Sequence, residues 1–365
     1  MVKKILFLST LPPPHYGASI MSEICLEILQ KSKNFQVRNI KLNYSKSMND
    51  VGKINLSKFK GFFKVMKQIS NSFKEFSPDF IYFAPATKGF GLIRDFLFVQ
   101  KIKKYGVPFV FHIHSRLFKG RKNKLMYQKM FKGEKAIILG KELLDDVEEF
   151  FKKEDINFLP NAIKNQISER EFKKLIEEKK KRPNLNLLFL SNMNESKGWP
   201  KLLEACEILN KKLDFTCNFV GEFPSKWEKE RFYESAKEKN LGRRVNYLGK
   251  KTGKDKRKIF EQSDIFIFPT EYPFETFGVV IIESMMFGIP VIANGIATIP
   301  SIISDNETGF VLKKNSPEEI SEKILQLSKR ETRENFSEKS RKRFLEKYEL
   351  GNYQKNLLKI IGSLF

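Results

Sequence analysis

At 365 residues, with 41% hydrophobic and 30% charged residues, the chain has the size and balance of two folded domains, each able to bury its own core. No apolar stretch reaches the roughly 20 residues that would span a bilayer, and Cys25, Cys206 and Cys217 share no metal-ligand or redox spacing, which points to buried reduced thiols in a cytosolic protein. The net charge of +24 is uneven: residues 1–166 hold 30 Lys+Arg against 14 Asp+Glu, a field that favours anionic partners such as a membrane surface, phosphorylated lipid or nucleic acid, with a solvated lysine surface as the plain alternative.

The start, MVKKILFLSTLPPPHYG, mimics a signal peptide, but its apolar run is short and prolines follow without a cleavage site, so it reads as a first β-strand. Strands are expected over Ile5–Ser9, Phe35–Ile40, Phe80–Phe83, Phe109–Ile113 and Ala136–Leu139. Helices are expected over Ala18–Gln30 and Leu92–Lys104, with an acidic one over Lys141–Phe151. Strands alternating with helices imply βαβ units and a parallel sheet, and helices on both faces explain why the strands are continuous apolar runs. Arg170–Arg182 is a charged, solvated helix ended by Pro183, suited to a domain connection. The alternation then restarts. Strands are expected at Leu187–Leu190, Phe215–Val220, Val245–Leu248, Ile265–Phe268 and Val291–Ala293, with helices at Trp199–Leu209, Lys226–Lys239 and Lys254–Gln262. Helical segments near 317–328, 335–347 and 351–362 close the chain. Two doubly wound α/β domains result, and ligands of such sheets bind outside the C-terminal strand ends, with the cleft between domains as the default site.

Two stretches carry candidate chemistry in the second half. In LFLSNMNESKGW, Lys197-Gly198 opens a helix after a strand-end loop, where backbone N–H groups, the helix dipole and an ammonium favour an anion. A surface lysine before a helix is the alternative. In DIFIFPTEYPFETFGVVIIESMMFGIPVIA (264–293), Glu275 lies in a loop and Glu283 inside the following helix, which starts near Phe277-Gly278. Eight helical residues rise about 12 Å, so the two carboxylates suit opposite ends of an extended ligand. Glu283 sits in VVIIESMM, where burial of an unpaired carboxylate is costly, so it needs a hydrogen-bonding partner.

In the first half, His112 and His114 share one face at a strand end. A structural histidine is the plain reading of either. The remaining histidine is His15, and with no third ligand cluster and no Asp-x-Asp motif no metal is expected. Lys53–Phe76 alternates lysines with apolar residues at helical spacing, and Arg116–Lys135 is a second basic, aromatic run. Both suit an anionic membrane surface or, alternatively, a core-facing helix with a solvated lysine face.

The segments LPNAIK (159–164), SKGWPKLLEA (196–205), the 264–293 stretch and NETGFVL (306–312) match, in order, the pattern of retaining GT-B glycosyltransferases of family 4, the glycosyl transferases group 1; VNYLGK (245–250) sits where that family has a similar strand. The resemblance covers nearly the whole chain and is strongest in its second half. It implies a GT-B fold: an acceptor-side Rossmann-like domain over 1–165, a nucleotide-sugar domain over 166–345 and a final helix, 346–365, crossing back to the first domain. It further implies a metal-independent enzyme with no cofactor. A sugar would move from a UDP- or GDP-sugar to a glycan or lipid-linked acceptor in lipopolysaccharide or capsule synthesis, in the cytoplasm or at the inner face of the membrane.

By that resemblance Lys197 contacts the donor diphosphate, Glu283 the ribose hydroxyls and Glu275 the transferred sugar. The amides of Thr276, Phe277 and Gly278 bind sugar and phosphate, and the base lies near Tyr247–Lys250. His114 contacts the sugar, and Gly17 allows close approach to phosphate through left-handed backbone freedom. The chain departs from the family at Ser191-Asn192, where many members have Gly-Arg, so a second positive charge is lacking or comes from Lys250 or Lys251. A basic nucleic-acid-binding protein is the reading from another class, though lysines spread over many helices form no compact footprint. A GT-B epimerase or phosphorylase is the alternative among enzymes.

Overall fold

A computed structural model describes residues 2–13, 16–42, 56–117 and 120–364; His15, residues 53–55 and Phe118-Lys119 lie outside the described residues. The chain forms two compact units, Met1–Asn161 with Tyr353–Phe365, and Ala162–Asn352.

The first unit is a parallel sheet of β1 (Lys3–Ser9), β2 (Phe35–Lys41), β3 (Phe80–Phe83), β4 (Phe109–Ile113), β5 (Lys135–Ile138) and β6 (Ile156–Phe158), ordered β2-β1-β3-β4-β5-β6. Every residue of β3 and β4 is buried, as required of strands covered by helices on both faces. The helices are α1 (Gly17–Lys31), α2 (Leu56–Glu75), α3 (Gly89–Lys103), α4 (Arg121–Phe131) and a four-residue α5 (Leu144–Val147). The acidic helix expected over Lys141–Phe151 is broken: a 3-10 turn, Lys141–Leu143, leads into α5, which then stops. Phe150 and Phe151 both pack on Phe131, at centroid distances of 6.3 and 4.9 Å. Adjacent residues of a regular helix point about 100° apart, so the chain tightens to deliver both rings to one core.

The second unit contains α6 (Glu169–Lys180), β7 (Leu185–Leu190), α7 (Trp199–Leu209), β8 (Phe215–Val220), α8 (Lys226–Glu238), β9 (Val245–Tyr247), α9 (Gly253–Gln262), β10 (Ile265–Phe268), α10 (Val279–Met286), β11 (Val291–Asn294), α11 (Ile299–Ile302), β12 (Gly309–Leu312), α12 (Pro317–Ser328) and α13 (Arg330–Lys347). Its parallel sheet runs β12-β11-β10-β7-β8-β9. The winding reverses between β7 and β10, so the loops leaving these two strands flank the switch point, where doubly wound sheets bind ligands. Phe189, Trp199, Phe219 and Phe232 anchor the core on the β7–β8 side. β12 is four residues long, too short to display a period, and is set by its pairing with β11. The three cysteines are free and buried. The last helix, α14 (Leu350–Ser363), packs from Tyr353 onward with the first unit, where Tyr353 Oη lies 2.9 Å from Cys25 Sγ.

Arg341 on α13 ties the second unit together. It is 2% exposed and donates to the carbonyls of Met286 and Ile167, to Asn165 Oδ1 and to Glu169 Oε1, at 2.7–3.1 Å. Its fork therefore joins the entry to α6 with the C-terminal end of α10. Arg341→Met is expected to destabilise this unit by about 3 kcal/mol, because several buried acceptors lose their donor together. The measurement is a lowered urea midpoint with an unchanged m-value; a midpoint within error of wild type would exclude this role.

Candidate functional site

At the switch point the loop after β7 and the loop after β10 are joined by backbone. Glu271 N–H donates to the Ser196 carbonyl at 2.7 Å, and Asn194 Oδ1 accepts from Ser196 N–H at 2.9 Å to shape the turn. Gly198 follows with φ 91°, and a Cβ built there would lie 2.2 Å from the Pro269 carbonyl oxygen. Only glycine permits both the left-handed backbone and this approach. The turn places Lys197 Nζ 2.8 Å from Glu275 Oε2 and 4.0 Å from the centroid of the Tyr272 ring. Both charged side chains are close to nine-tenths buried, which strengthens their attraction and makes loss of either partner costly. Glu275 Oε1 in turn accepts from Gly278 N–H at 3.1 Å. Burial, and secondarily the Glu275 carboxylate, hold the Tyr272 hydroxyl above its ordinary pKa.

α10 begins at Val279 from Gly278, φ 68°, so Glu275 precedes the helix and only Glu283 is carried on it. No side chain caps α10 or α7, whereas Ser168, Ser225 and Ser316 cap α6, α8 and α12. Phe277 is buried against Tyr348, and the Thr276 carbonyl accepts from both Thr298 N–H and its hydroxyl, at 3.2 and 2.7 Å. Lys197, Glu275 and Gly278 thus form one cluster.

Glu283 belongs to another. Lys256 Nζ on α9 binds both of its oxygens, at 2.7 and 2.6 Å, and this is the partner its apolar surroundings demand. The pair borders a cavity of about 470 Å³ lined also by Lys251, Thr252, Arg257 and Phe260. Lys256, Thr252 and Tyr272 were not anticipated. The signal for Lys256 was a basic run, GKDKRK, opening the helix before β10.

Ser191 and Tyr247 converge on Gly221: Ser191 N–H donates to the neighbouring Val220 carbonyl at 3.0 Å, and Tyr247 Oη donates to the Gly221 carbonyl at 3.0 Å. Asn192 is exposed, and Lys250 is engaged at the surface with Glu222 at 2.9 Å. Neither Ser191 nor Tyr247 bonds to the Lys197 cluster. In the first unit, His114 follows β4, and its ring lies 4.0 Å from that of His112. His112 Nδ1 pairs with the Tyr82 hydroxyl. Gly17 opens α1 after β1, but its φ is not in the left-handed region, and a Cβ there would meet no atom within 4 Å. The left-handed freedom expected of it is therefore not used. Among the described residues no three His, Cys, Asp or Glu side chains gather as metal ligands.

Comparison with known proteins shows a family match in the second unit and the fold of the chain. Residues 168–343, within the second unit, match the model of the family Glycosyl transferases group 1. Solved structures sharing the fold include a glycosyltransferase from Rickettsia africae (TM-score 0.75, 20% identity, 98% of this chain and 97% of that one). Anabaena Alr3699/HepE, solved with UDP and glucose, is similar (TM-score 0.74, 16% identity, 99% and 100%). The fold is GT-B. Among curated relatives, an uncharacterized 41.2 kDa protein of the Klebsiella pneumoniae cps region is 28% identical over 44% of this chain and 42% of its own length. The D-rhamnosyltransferase WbpZ of Pseudomonas aeruginosa is 32% identical over 36% and 32%. The chain thus spans less than half the length of these curated relatives.

Gly198→Ala is expected to cost about 2 kcal/mol or more, since strain and a backbone clash act together; a urea titration that leaves the midpoint unmoved would contradict the packing described. Burial holds His114 down to about pKa 4 and His112 well below 6.5, the latter helped by His114. Below pH 6.5 the unfolded chain then takes up protons that the folded chain refuses, so stability is full above about 6.5 and falls towards pH 4. Thermal melts at pH 7.5 and 5.0 should show a smaller acid loss for His114→Asn than for wild type; equal losses would overturn the assignment.

Proposed function

We propose that the protein is a retaining, metal-independent glycosyltransferase. It moves a sugar from a nucleoside-diphosphate-sugar, UDP- or GDP-linked, to a glycan or lipid-linked acceptor in cell-surface polysaccharide synthesis. The observation that carries this reading is the buried Lys197–Glu275 pair beside two glycine-started helices at the switch point. A cation and helix-terminal N–H groups suit a diphosphate, and a fixed carboxylate suits sugar hydroxyls. The group 1 domain and the relative in a cps region support the same reading.

In the reaction so proposed, Lys197 releases Glu275 to bind the diphosphate, and its charge with the α7 and α10 amides stabilises the leaving group. That electrostatic stabilisation is the main contribution to rate. Glu275, freed from Lys197, accepts hydrogen bonds from the sugar. The acceptor hydroxyl attacks from the face the diphosphate leaves and passes its proton to the departing phosphate oxygen as the bond from the sugar to that oxygen breaks; no side chain is assigned as a covalent nucleophile. Glu283 takes the ribose hydroxyls, exchanging part of its bond to Lys256. The nucleoside occupies the cavity beside it, whose size suits such a ligand. The base then lies towards Lys251 and Thr252. Ser191, Asn192, Tyr247 and Lys250 form the outer rim. His114, held neutral by its burial, donates to or accepts from the sugar, and Gly17 leaves room for phosphate. The work is done in the cytoplasm or at the inner face of the membrane.

The test is nucleoside diphosphate release from a panel of uridine, guanosine and adenosine diphosphate-sugars, chosen first by thermal shift. Lys197→Ala is expected to lower kcat by about 10²- to 10³-fold. Glu283→Ala should raise the donor Kd about tenfold to a hundredfold. Turnover by either variant equal to wild type would remove that residue from the site.

A further inference from the structure

α3 wears its apolar residues on both sides. Leu92, Phe98, Val99 and Ile102 share one side and are fully buried. On the opposite side Phe90, Ile93 and Leu97 are 58%, 47% and 43% exposed. At 100° per residue these three fall within about 60° of one another, and Lys101 and Lys104 continue the same stripe. A surface helix ordinarily turns polar residues outward, so among the described residues this stripe is unpartnered apolar surface. α2 packs beside it through Phe62, stacked on Phe98 at 5.2 Å, and carries Phe63 at 68% exposure. α4 packs on the other side, where Gln100 Nε2 donates to the Lys129 carbonyl at 3.4 Å, and carries Leu125 at 55% exposure.

The charge around this face is mostly positive, although Lys103 of α3 pairs with Glu134 at 3.1 Å and Lys124 of α4 with Glu149. Residues 56–131 hold 16 Lys+Arg and 3 Asp+Glu. All three acids are already engaged: Glu75 with Arg38, Asp79 with Lys4 N–H, and Asp95 with Arg94 and Ala86 N–H. Lysines surrounding an apolar stripe oppose a second copy of the same face by like-charge repulsion, and they complement an anionic bilayer. Among the described residues no helix is long and apolar enough to cross a membrane, so contact of this kind is interfacial.

We propose that the outer face of α3 is a membrane-docking surface: Phe90, Ile93 and Leu97 enter the headgroup boundary of an anionic bilayer while Lys101 and Lys104 hold its phosphates. This deepens the reading above, since it brings the enzyme to a lipid-linked acceptor. The basic runs on α2 and α4 flank this face, and the inserted residues are on the helix between them.

Co-sedimentation with vesicles of phosphatidylcholine alone, or with a third phosphatidylglycerol, tests it. Wild type is expected to bind the anionic vesicles at 0.15 M NaCl, to bind neutral ones at least tenfold more weakly, and to lose affinity at 0.5 M NaCl. Phe90→Ser/Ile93→Ser/Leu97→Ser should lower anionic-vesicle affinity at least tenfold with an unreduced melting temperature, the side chains being exposed. Lys101→Glu/Lys104→Glu should lower it with a weaker salt dependence. Unchanged binding by the triple variant overturns the proposal, as does wild type without vesicle affinity. So does a concentration-dependent dimer that the triple variant dissociates. Nucleoside diphosphate release in vesicle-free solution is a separate readout, unchanged by these variants. Its absence in wild type with vesicle binding intact would sink the donor reading and leave the docking surface standing.

Discussion

The contact on which the second unit depends is between backbones: Gly198 lies against the Pro269 carbonyl, closer than any Cβ could come. Parallel strands wound in opposite directions from the centre leave a gap between their outgoing loops at the switch point. Here the gap is closed by that glycine and by the bond from Glu271 N–H to the Ser196 carbonyl. Because two backbones are in direct contact, Lys197 and Glu275 are held at hydrogen-bond distance across 78 residues of sequence. Their charges stay buried and paired, and the helices starting on either side are left uncapped by side chains.

The same electrostatic economy recurs away from that pair. Glu283 stands among apolar residues on α10, and its carboxylate is sustained by Lys256 from a neighbouring helix. Arg341 does the converse at the other end of α10, a buried cation satisfied by two backbone carbonyls, Asn165 and the Glu169 carboxylate. One short helix is therefore fixed at its start by a left-handed glycine, at its middle by an ion pair and at its end by an arginine fork. The first unit instead buries polar groups among aromatics. Tyr82 meets His112, which lies tilted against His114, while Cys25 meets Tyr353 from the end of the chain. Burial in that setting keeps both imidazoles neutral.

Much of this was legible from residue order alone. Apolar runs alternating with helical periodicity identified both parallel sheets, because strands covered on two faces cannot hide their composition. The SKGW and FETFG segments marked the two glycine-led helix starts, because backbone geometry of that kind excludes other residues. Less was legible where a decision depended on distant packing. The segment Lys141–Phe151 has helical composition, yet the need to send Phe150 and Phe151 into one core breaks it. Gly17 suggested left-handed backbone, and its actual conformation is available to any residue.

What the sequence by itself determined is the alternation of elements, the glycines at the turns and the need of Glu283 for a partner. These depend on local sterics and on the cost of burying charge, which act wherever the chain goes. Only the tertiary structure decided which groups meet. Lys256 takes Glu283, Tyr272 lies beneath Lys197, and α3 turns Phe90, Ile93 and Leu97 outward. Helical periodicity places residues on a common face, but whether that face is covered depends on what the rest of the fold leaves beside it.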